Sequence, residues 1–470
     1  MSSAAVEIAG GNDHAVRDTD LLSQPLTDSG NGERFVKLHG RDVRYCPEYK
    51  AWLIWDGKRW IRDKDGVVHR MAKETARRLY VAALAISDKD ERARVEGFAR
   101  RSEDAKEIRA ILECARNEQG MATSAANSDP DSWLLNCKNG TLDLHTGELR
   151  TFRREDLITK MCSVRFDPKA ACPSFLRFLD GIFNGNPALI AYVQKAFGYA
   201  LTGTVTEKVI FCLHGDGNNG KTTLLEAFRY VLGDYAGQVM IESLLSSSEF
   251  HRSTALADLA DIKGTRFVTT SEADQGMYFA EGQIKQLTGM GQVKACRKYE
   301  NPITFSPSFK IFMDSNHKPI VRGTDAAIWN RLKLIPFNVT IPKSEIDKNL
   351  LEKLKREGPG ILQWAVEGCL EWQRDGLNET SDVTASVQEW REESDPFAGF
   401  FLTVCRIAPD ATCTWTELWE AARTHAEAAG VEIKQHPFTE QLKRLGCRPA
   451  RTKISRFWRG IRLKDDTDDA

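Results

Sequence analysis

Apolar and polar positions along this chain follow two periods, and the switches between them mark its elements. Residues 209–213 form a continuous apolar run, and residues 309–314 and the stretch after Arg331 are similar, as buried strands are. Directly after the first run, residues 222–232 place Leu224, Leu225, Phe228 and Val231 at helical spacing. Between 70 and 120, Ala72, Ala76, Leu79 and Leu84 predict helices with a charged outer face carrying Arg77, Arg78, Arg100 and Arg101. Residues 175–183 and 188–200 predict two further amphipathic helices. β-Formers dominate 34–39 and 52–60, the second around Asp56-Gly57, which predicts a small hairpin whose Trp52, Trp55 and Trp60 either fill a core or stack bases. A strand-turn-strand pattern spans 133–144 around Asn139-Gly140.

Further on, residues 262–272 read as a turn and a short strand ending at Glu272. Residues 281–287 read as a helix, and 293–299 with 303–305 as a hairpin. Near the C-terminus, 400–405, 415–428 and 437–445 predict three helices. Residues 448–464 then alternate Ile454, Phe457, Trp458 and Ile461 with Arg451, Lys453, Arg456, Arg459 and Arg462, a basic β-hairpin.

These patterns divide the chain. Residues 1–30, rich in Ser, Asp, Gly and Ala and without periodicity, are expected to be a mobile tail. Residues 31–126 form a small α+β region, 131–203 a helical collar, 204–345 an α/β core, 346–394 a helical connector and 395–470 a winged-helix-like unit. A length of 470 residues allows about three domains. The net charge of -1 leaves any nucleic-acid contact to local basic patches. No apolar run approaches the ~20 residues of a membrane span, and the first residues carry no secretory pattern, so a cytoplasmic protein without membrane contact is expected. The eleven cysteines include no C-x-x-C pair, which argues against a zinc ribbon and for reduced core thiols.

The chemistry gathers where the first apolar run ends. Residues 215–222 read GDGNNGKT, matching G-x-x-x-x-G-K-[ST] at every fixed position, between a strand and a helix as that motif requires. Gly215, Asp216, Gly217, Asn218, Asn219 and Gly220 would turn backbone amides toward phosphates, with Thr223 closing the set. Lys221 would add positive charge near the β and γ phosphates, and the Thr222 hydroxyl would ligate Mg²⁺. The chain is therefore expected to hydrolyse a nucleoside triphosphate. Glu272, at a strand tip downstream, is the candidate to hold Mg²⁺ or polarise the attacking water, with Asp274 second. Asn316, after the next strand, can reach the γ phosphate and the water. Lys285, Lys294, Arg297 and Lys298, with Tyr299 among them, form the strongest nucleic-acid footprint. Arg331, ahead of an apolar strand, can act across a subunit boundary.

The order of the phosphate loop, Glu272, Lys285-Gln286-Leu287-Thr288-Gly289, Asn316-His317-Lys318-Pro319, and Trp329-Asn330-Arg331 with Ile335-Pro336-Phe337 closely resembles the superfamily 3 helicases. More narrowly it resembles the helicase part of phage and plasmid primase-helicases, similar also to poxvirus primase-helicase. Leu134-Leu135-Asn136, residues 139–144 and residues 198–203 are similar to that family's collar domain, and residues 31–60 to its primase–helicase joining segment. The resemblance implies an AAA+-like core with a helical collar and a C-terminal winged helix. By it, Lys221 and Thr222 are the Walker A pair, Glu272 the Walker B carboxylate, Asn316 the sensor, Lys285 with the 294–298 hairpin the DNA contacts, and Arg331 the finger. Two departures stand out: residues 289–292 read GMGQ where an acid is common, and Asn330 precedes Arg331 where two arginines are common, which leaves Arg322 as an outside finger candidate.

The expectation is an ATP- and Mg²⁺-dependent DNA helicase of a phage, prophage or plasmid, working as a homo-hexamer on single-stranded DNA in a bacterial cytoplasm. The basic C-terminal hairpin would reach origin duplex DNA, and a separate primase would act as partner. The first 130 residues hold no zinc-ribbon spacing and no Asp-x-Asp with Ser-x-His, so no primer synthesis by this chain alone is expected. An origin-melting initiator fits the same residues. So do an ATP-dependent protein remodeller and a module that uses ATP only to assemble on DNA.

Overall fold

A computed structural model of the chain describes residues 16–241, 244, 259–270, 278–295, 303–321, 326–394, 397–428, 433–451 and 456–464. It begins with a 3-10 turn at Asp18–Ser23 and helix α1 (Asp28–His39), which corrects two expectations. Residues 16–30 are not a loose tail: Leu21 is fully buried, and the buried Arg34 guanidinium donates to the carbonyls of Leu21 (2.8 Å) and Pro25 (3.0 Å). Residues 34–39 are helical, not a strand, because Asn31, Arg34 and Phe35 are buried together at i, i+3, i+4 spacing and the Thr27 hydroxyl caps the helix by accepting from the Gly30 amide.

Strands β1 (Val43–Cys46), β2 (Ala51–Trp55) and β3 (Trp60–Arg62) form an antiparallel sheet. Gly57, at φ +91°, takes the turn between the last two, a conformation glycine adopts freely. Trp55 and Trp60 are buried and fill this small core. Helices α2 (Val67–Ala83), α3 (Lys89–Arg101) and α4 (Ala105–Ala115) follow, with α1 packed along α4. A second antiparallel sheet, β4 (Leu134–Cys137), β5 (Gly140–Asp143) and β6 (Glu148–Arg150), leads to α5 (Pro173–Ile182) and α6 (Pro187–Leu201).

The central unit runs β7 (Ile210–His214), α7 (Lys221–Leu232), β8 (Ala236–Val239), β9 (Phe267–Thr270), α8 (Glu281–Leu287), a ribbon of β10 (Val293–Ala295) and β11 (Ile303–Phe305), then β12 (Lys310–Ser315), α9 (Ala326–Trp329) and β13 (Leu332–Pro336). Five strands pair in parallel in the order β13-β7-β12-β9-β8. A parallel sheet is covered on both faces, and strand alternation divides its side chains between two cores. Phe211, Leu213, Phe267 and Phe312 join α5, α6 and α7 on one face; Ile210, Cys212, Val268, Ile311 and Met313 join α8 and the ribbon on the other.

Helices α10 (Leu350–Arg356), α11 (Gly358–Asp375) and α12 (Ser381–Glu393) complete these cores, so residues 346–394 are not a mere connector. Gly198 of α6 and Gly368 of α11 let the two helices touch: a Cβ on Gly198 would lie 2.1 Å from the Cys369 amide nitrogen. Two buried cations tie the sheet to the end of α6. Arg266 donates to Leu201 O (2.6 Å) and Leu134 O (2.7 Å), while Lys310 donates to Thr202 O and to Thr204 O (3.1 Å). The negative end of a helix dipole favours such cations, and burial pushes the Lys310 ammonium well below the usual lysine range.

At the C-terminus stand α13 (Ala398–Thr403), β14 (Cys405–Thr414), α14 (Trp415–Ala428), α15 (Gln435–Arg444), β15 (Arg448–Arg451) and β16 (Arg456–Leu463). The three strands form an antiparallel sheet in the order β14-β16-β15. β14 is a correction, since Cys405 was expected to close a helix rather than open a strand. Its pairing shifts register between Ile407 and Thr412, which breaks the alternation that would have exposed it in the sequence.

Candidate nucleotide site

Strand β7 ends at His214, and α7 begins at Lys221; the six residues between them make the turn. Gly217 (φ +92°), Asn218 (φ +49°) and Gly220 (φ +85°) lie in the left-handed region that folds a chain tightly around an anion. Gly215 admits no side chain: a Cβ there would be 2.3 Å from Phe337 O. The segment after β13 clamps the turn, with the Phe337 amide donating to His214 O (2.7 Å) and the Ile341 amide to Asn218 O (2.8 Å).

Lys221 is buried, and its ammonium donates to Gly215 O (2.8 Å), Asn316 Oδ1 (2.9 Å) and Asn219 Oδ1 (3.1 Å). Asn316 comes from the loop after β12, the parallel neighbour of β7, so the sheet order itself brings it to Lys221. The Thr222 hydroxyl donates to Asp314 Oδ2 (2.6 Å), and Asp314 Oδ1 lies 3.7 Å from the Lys221 ammonium. Asp314 is the residue sequence reasoning missed; its signal was an acid ending the apolar run Ile311-Phe312-Met313. Burial holds the His214 imidazole below its usual range, with the Lys318 charge acting in the same sense and Asp216 against it.

A cavity of about 440 Å³ adjoins the turn, lined among others by Phe178, Ile182, Ile341, Pro342, Leu350 and Lys353. Ile182 and Phe178 are also what a Cβ on Gly220 would strike, at 2.7 and 2.9 Å. The slot therefore opens beside the turn, with apolar walls edged by Arg177, Glu345, Asp347 and Lys353.

The other expected residues scatter. Glu272, Asp274, Arg297, Lys298 and Arg322 lie outside the described residues, though β9 does end at Thr270, just before Glu272. Lys285 is half-buried on α8, and Lys294 is exposed on β10. Arg331 is not at the turn: its carbonyl accepts from the Ile210 amide (2.8 Å) at the opposite end of β7, and its guanidinium donates to Ala327 O (2.6 Å). In the C-terminal unit, a cavity of about 620 Å³ between α15 and the β15–β16 hairpin is walled by Trp415, His436, Arg451, Arg456, Phe457 and Trp458. The ten cysteines among the described residues are free, and no helix among those residues is long and apolar enough to cross a membrane.

Two family models match the chain: "D5 N terminal like" over residues 32–184, and a family of unknown function, DUF5906, over residues 213–331. Viral proteins are similar to the chain as well. "Putative helicase L207/L206" of Acanthamoeba polyphaga mimivirus is 28% identical over 58% of this chain and 30% of its own length. "Putative helicase V13" of Sputnik virophage is 24% identical over 94% of this chain and 58% of its own, and "Putative primase C962R" of African swine fever virus is 25% identical over 50% and 25%. These matches fit the resemblance to primase-helicases that the order of motifs carries. The chain spans less than two thirds of the length of each of those relatives. Its fold is similar to the apo A form of the NrS-1 C-terminal region, with a TM-score of 0.51 at 10% identity over 90% of this chain and 96% of that one.

Proposed function

We propose that this chain is an ATP-dependent DNA helicase or translocase of viral-type replication, built on an AAA+-like superfamily 3 core. The observation that carries the reading is the meeting of Lys221, Thr222 and Asn316 at the ends of two adjacent parallel strands, around a turn shaped for phosphate. That arrangement suits the phosphates of ATP, and the slot beside it, apolar with a charged edge, suits the base and ribose. The site fits Mg²⁺, because the buried Asp314 Oδ1 has no hydrogen-bond donor. Bound there, Mg²⁺ would neutralise charge on the β and γ phosphates. Lys221 would hold the γ phosphate, Asn316 would report on it, and Glu272 would orient water.

Arg331 supports a ring, as a homo-hexamer would supply. The five residues of β7 put roughly 15 Å between Arg331 and the turn of its own chain, so its use as a finger requires a neighbouring subunit. Exposed Lys294, with Lys285, Arg297 and Lys298, would grip single-stranded DNA. The winged-helix-like C-terminal unit, with its aromatic and basic cavity, favours a second reading as an initiator that melts origin DNA.

The test is ATP hydrolysis with and without single-stranded DNA. DNA stimulation lost in Lys221→Ala supports the motor, whereas turnover indifferent to DNA favours a protein remodeller. Mixing Lys221→Ala with Arg331→Ala protein should restore activity above either alone, because some interfaces then combine an intact Lys221 with an intact Arg331; a mixture no better than its components rejects the shared site.

A further inference from the structure

Burying a carboxylate at the tip of a core strand costs several kcal/mol unless partners return it. Asp314 pairs in register with Leu213 and shares the sheet face of Phe312, where an apolar residue would pack without that cost. What it receives is one hydroxyl hydrogen bond from Thr222 and one ion pair with Lys221 at 3.7 Å. Its Oδ1 is closed to solvent and accepts no hydrogen bond. An arrangement so poorly compensated points to a role in binding rather than in folding.

The geometry of the Thr222 bond says what that role is. A hydroxyl carries one proton and two lone pairs. Because the Thr222 proton is given to Asp314, both lone pairs of Oγ1 are left for another group, and Thr222 is exposed toward solvent. In phosphate-loop enzymes that hydroxyl shares Mg²⁺ with an aspartate of the following core strand. Here the residues following β9 are Ser271 and Glu272, and β12 lies between β9 and β7. The aspartate in contact with the loop threonine comes instead from β12.

Resting on the nucleotide reading above, we propose that Asp314 is the positioning residue of the Mg²⁺ site: it fixes the Thr222 hydroxyl with its lone pairs outward and supplies the adjacent negative charge. Glu272 is thereby left to the water. The carboxylate and the sensor Asn316 sit two residues apart on one strand end, so metal and γ phosphate are read by the same element.

The experiment is titration of full-length protein with N-methylanthraniloyl-ADP, in Mg²⁺ and in EDTA. Wild type should bind more tightly with Mg²⁺, by about tenfold or more, and Asp314→Ala should lose most of that gain while its affinity in EDTA stays within about threefold, as expected when a group behind a metal ligand is removed. Asp314→Glu should recover part of the gain. Thr222→Val should remove the same gain, and the Thr222→Val/Asp314→Ala double variant should lose no more than either single one, because both act through one hydroxyl. If Asp314→Ala does not fold, the near-isosteric Asp314→Asn carries the comparison. A full Mg²⁺ gain in the Asp314 variants, or its loss in Glu272→Gln instead, overturns the assignment. Absence of nucleotide binding by wild type in both buffers removes the nucleotide reading, and this assignment with it.

Discussion

Lys221 and Asp314 form a buried pair whose energetics can be separated from nucleotide binding. Their side chains are 3% and 12% exposed, and the charges stand 3.7 Å apart. With an effective dielectric near 20, the direct attraction is about 4 kcal/mol. Lys221→Met removes the cation and strands the carboxylate, which costs about 3–5 kcal/mol for a buried pair; the Thr222 hydrogen bond and the partial exposure of Asp314 place this case near the lower end, about 3 kcal/mol. Asp314→Asn is milder, about 1–2 kcal/mol, because Lys221 keeps Gly215 O, Asn219 and Asn316 as acceptors. In Lys221→Met/Asp314→Asn no charge is stranded, so about 2 kcal/mol should return as a coupling energy. At about 2–4 °C per kcal/mol, thermal unfolding of nucleotide-free protein in EDTA should fall by about 6–12 °C in Lys221→Met, and the fall in the double variant should be about 4–8 °C smaller than the sum of the two single falls. Nucleotide binding should stay absent in both. Losses that simply add in the double variant would refute the charge cage and leave the 3.7 Å approach without energetic meaning.

Other outcomes follow from the same geometry. Gly198→Ala should lower stability by about 2 kcal/mol or more, since the new Cβ meets backbone that cannot rotate away. Gly97→Ala on α3, whose nearest neighbour would be the Arg101 guanidinium at 4.0 Å, should raise it by about 0.5–1 kcal/mol; thermal unfolding of the pair checks both signs. Burial, aided by the charge of Arg78, pushes the His39 imidazole down to about 4. Its folded value lies below the unfolded 6.5, so its contribution, at most about 3 kcal/mol, is complete above pH 6.5 and lost as pH falls through 4. His39→Gln should therefore flatten the acid limb of a stability–pH curve over that window, and an unchanged limb would assign acid unfolding to other groups.

The primary sequence by itself determined the parts whose cause is local. The strand–turn–helix around 210–232 was legible because left-handed glycines, an apolar run and a 3.6-residue spacing all act within a few residues of one another. The N-terminal tryptophan hairpin and the basic C-terminal hairpin were legible for the same reason. The order of motifs carried the resemblance to primase-helicases, and the similar viral proteins bear helicase and primase names. What needed the tertiary structure was anything set by neighbours distant in sequence. Residues 34–39 became a helix because Arg34 satisfies carbonyls ten or so residues upstream, and β14 exists because β16, some fifty residues later, pairs with it through an irregular register. Asp314 looked like the polar end of a strand until the order β13-β7-β12-β9-β8 laid it beside Thr222, 92 positions away. Parallel sheets place residues by strand order, and strand order is decided by which apolar faces are buried together, a property of the whole core that no local spacing records.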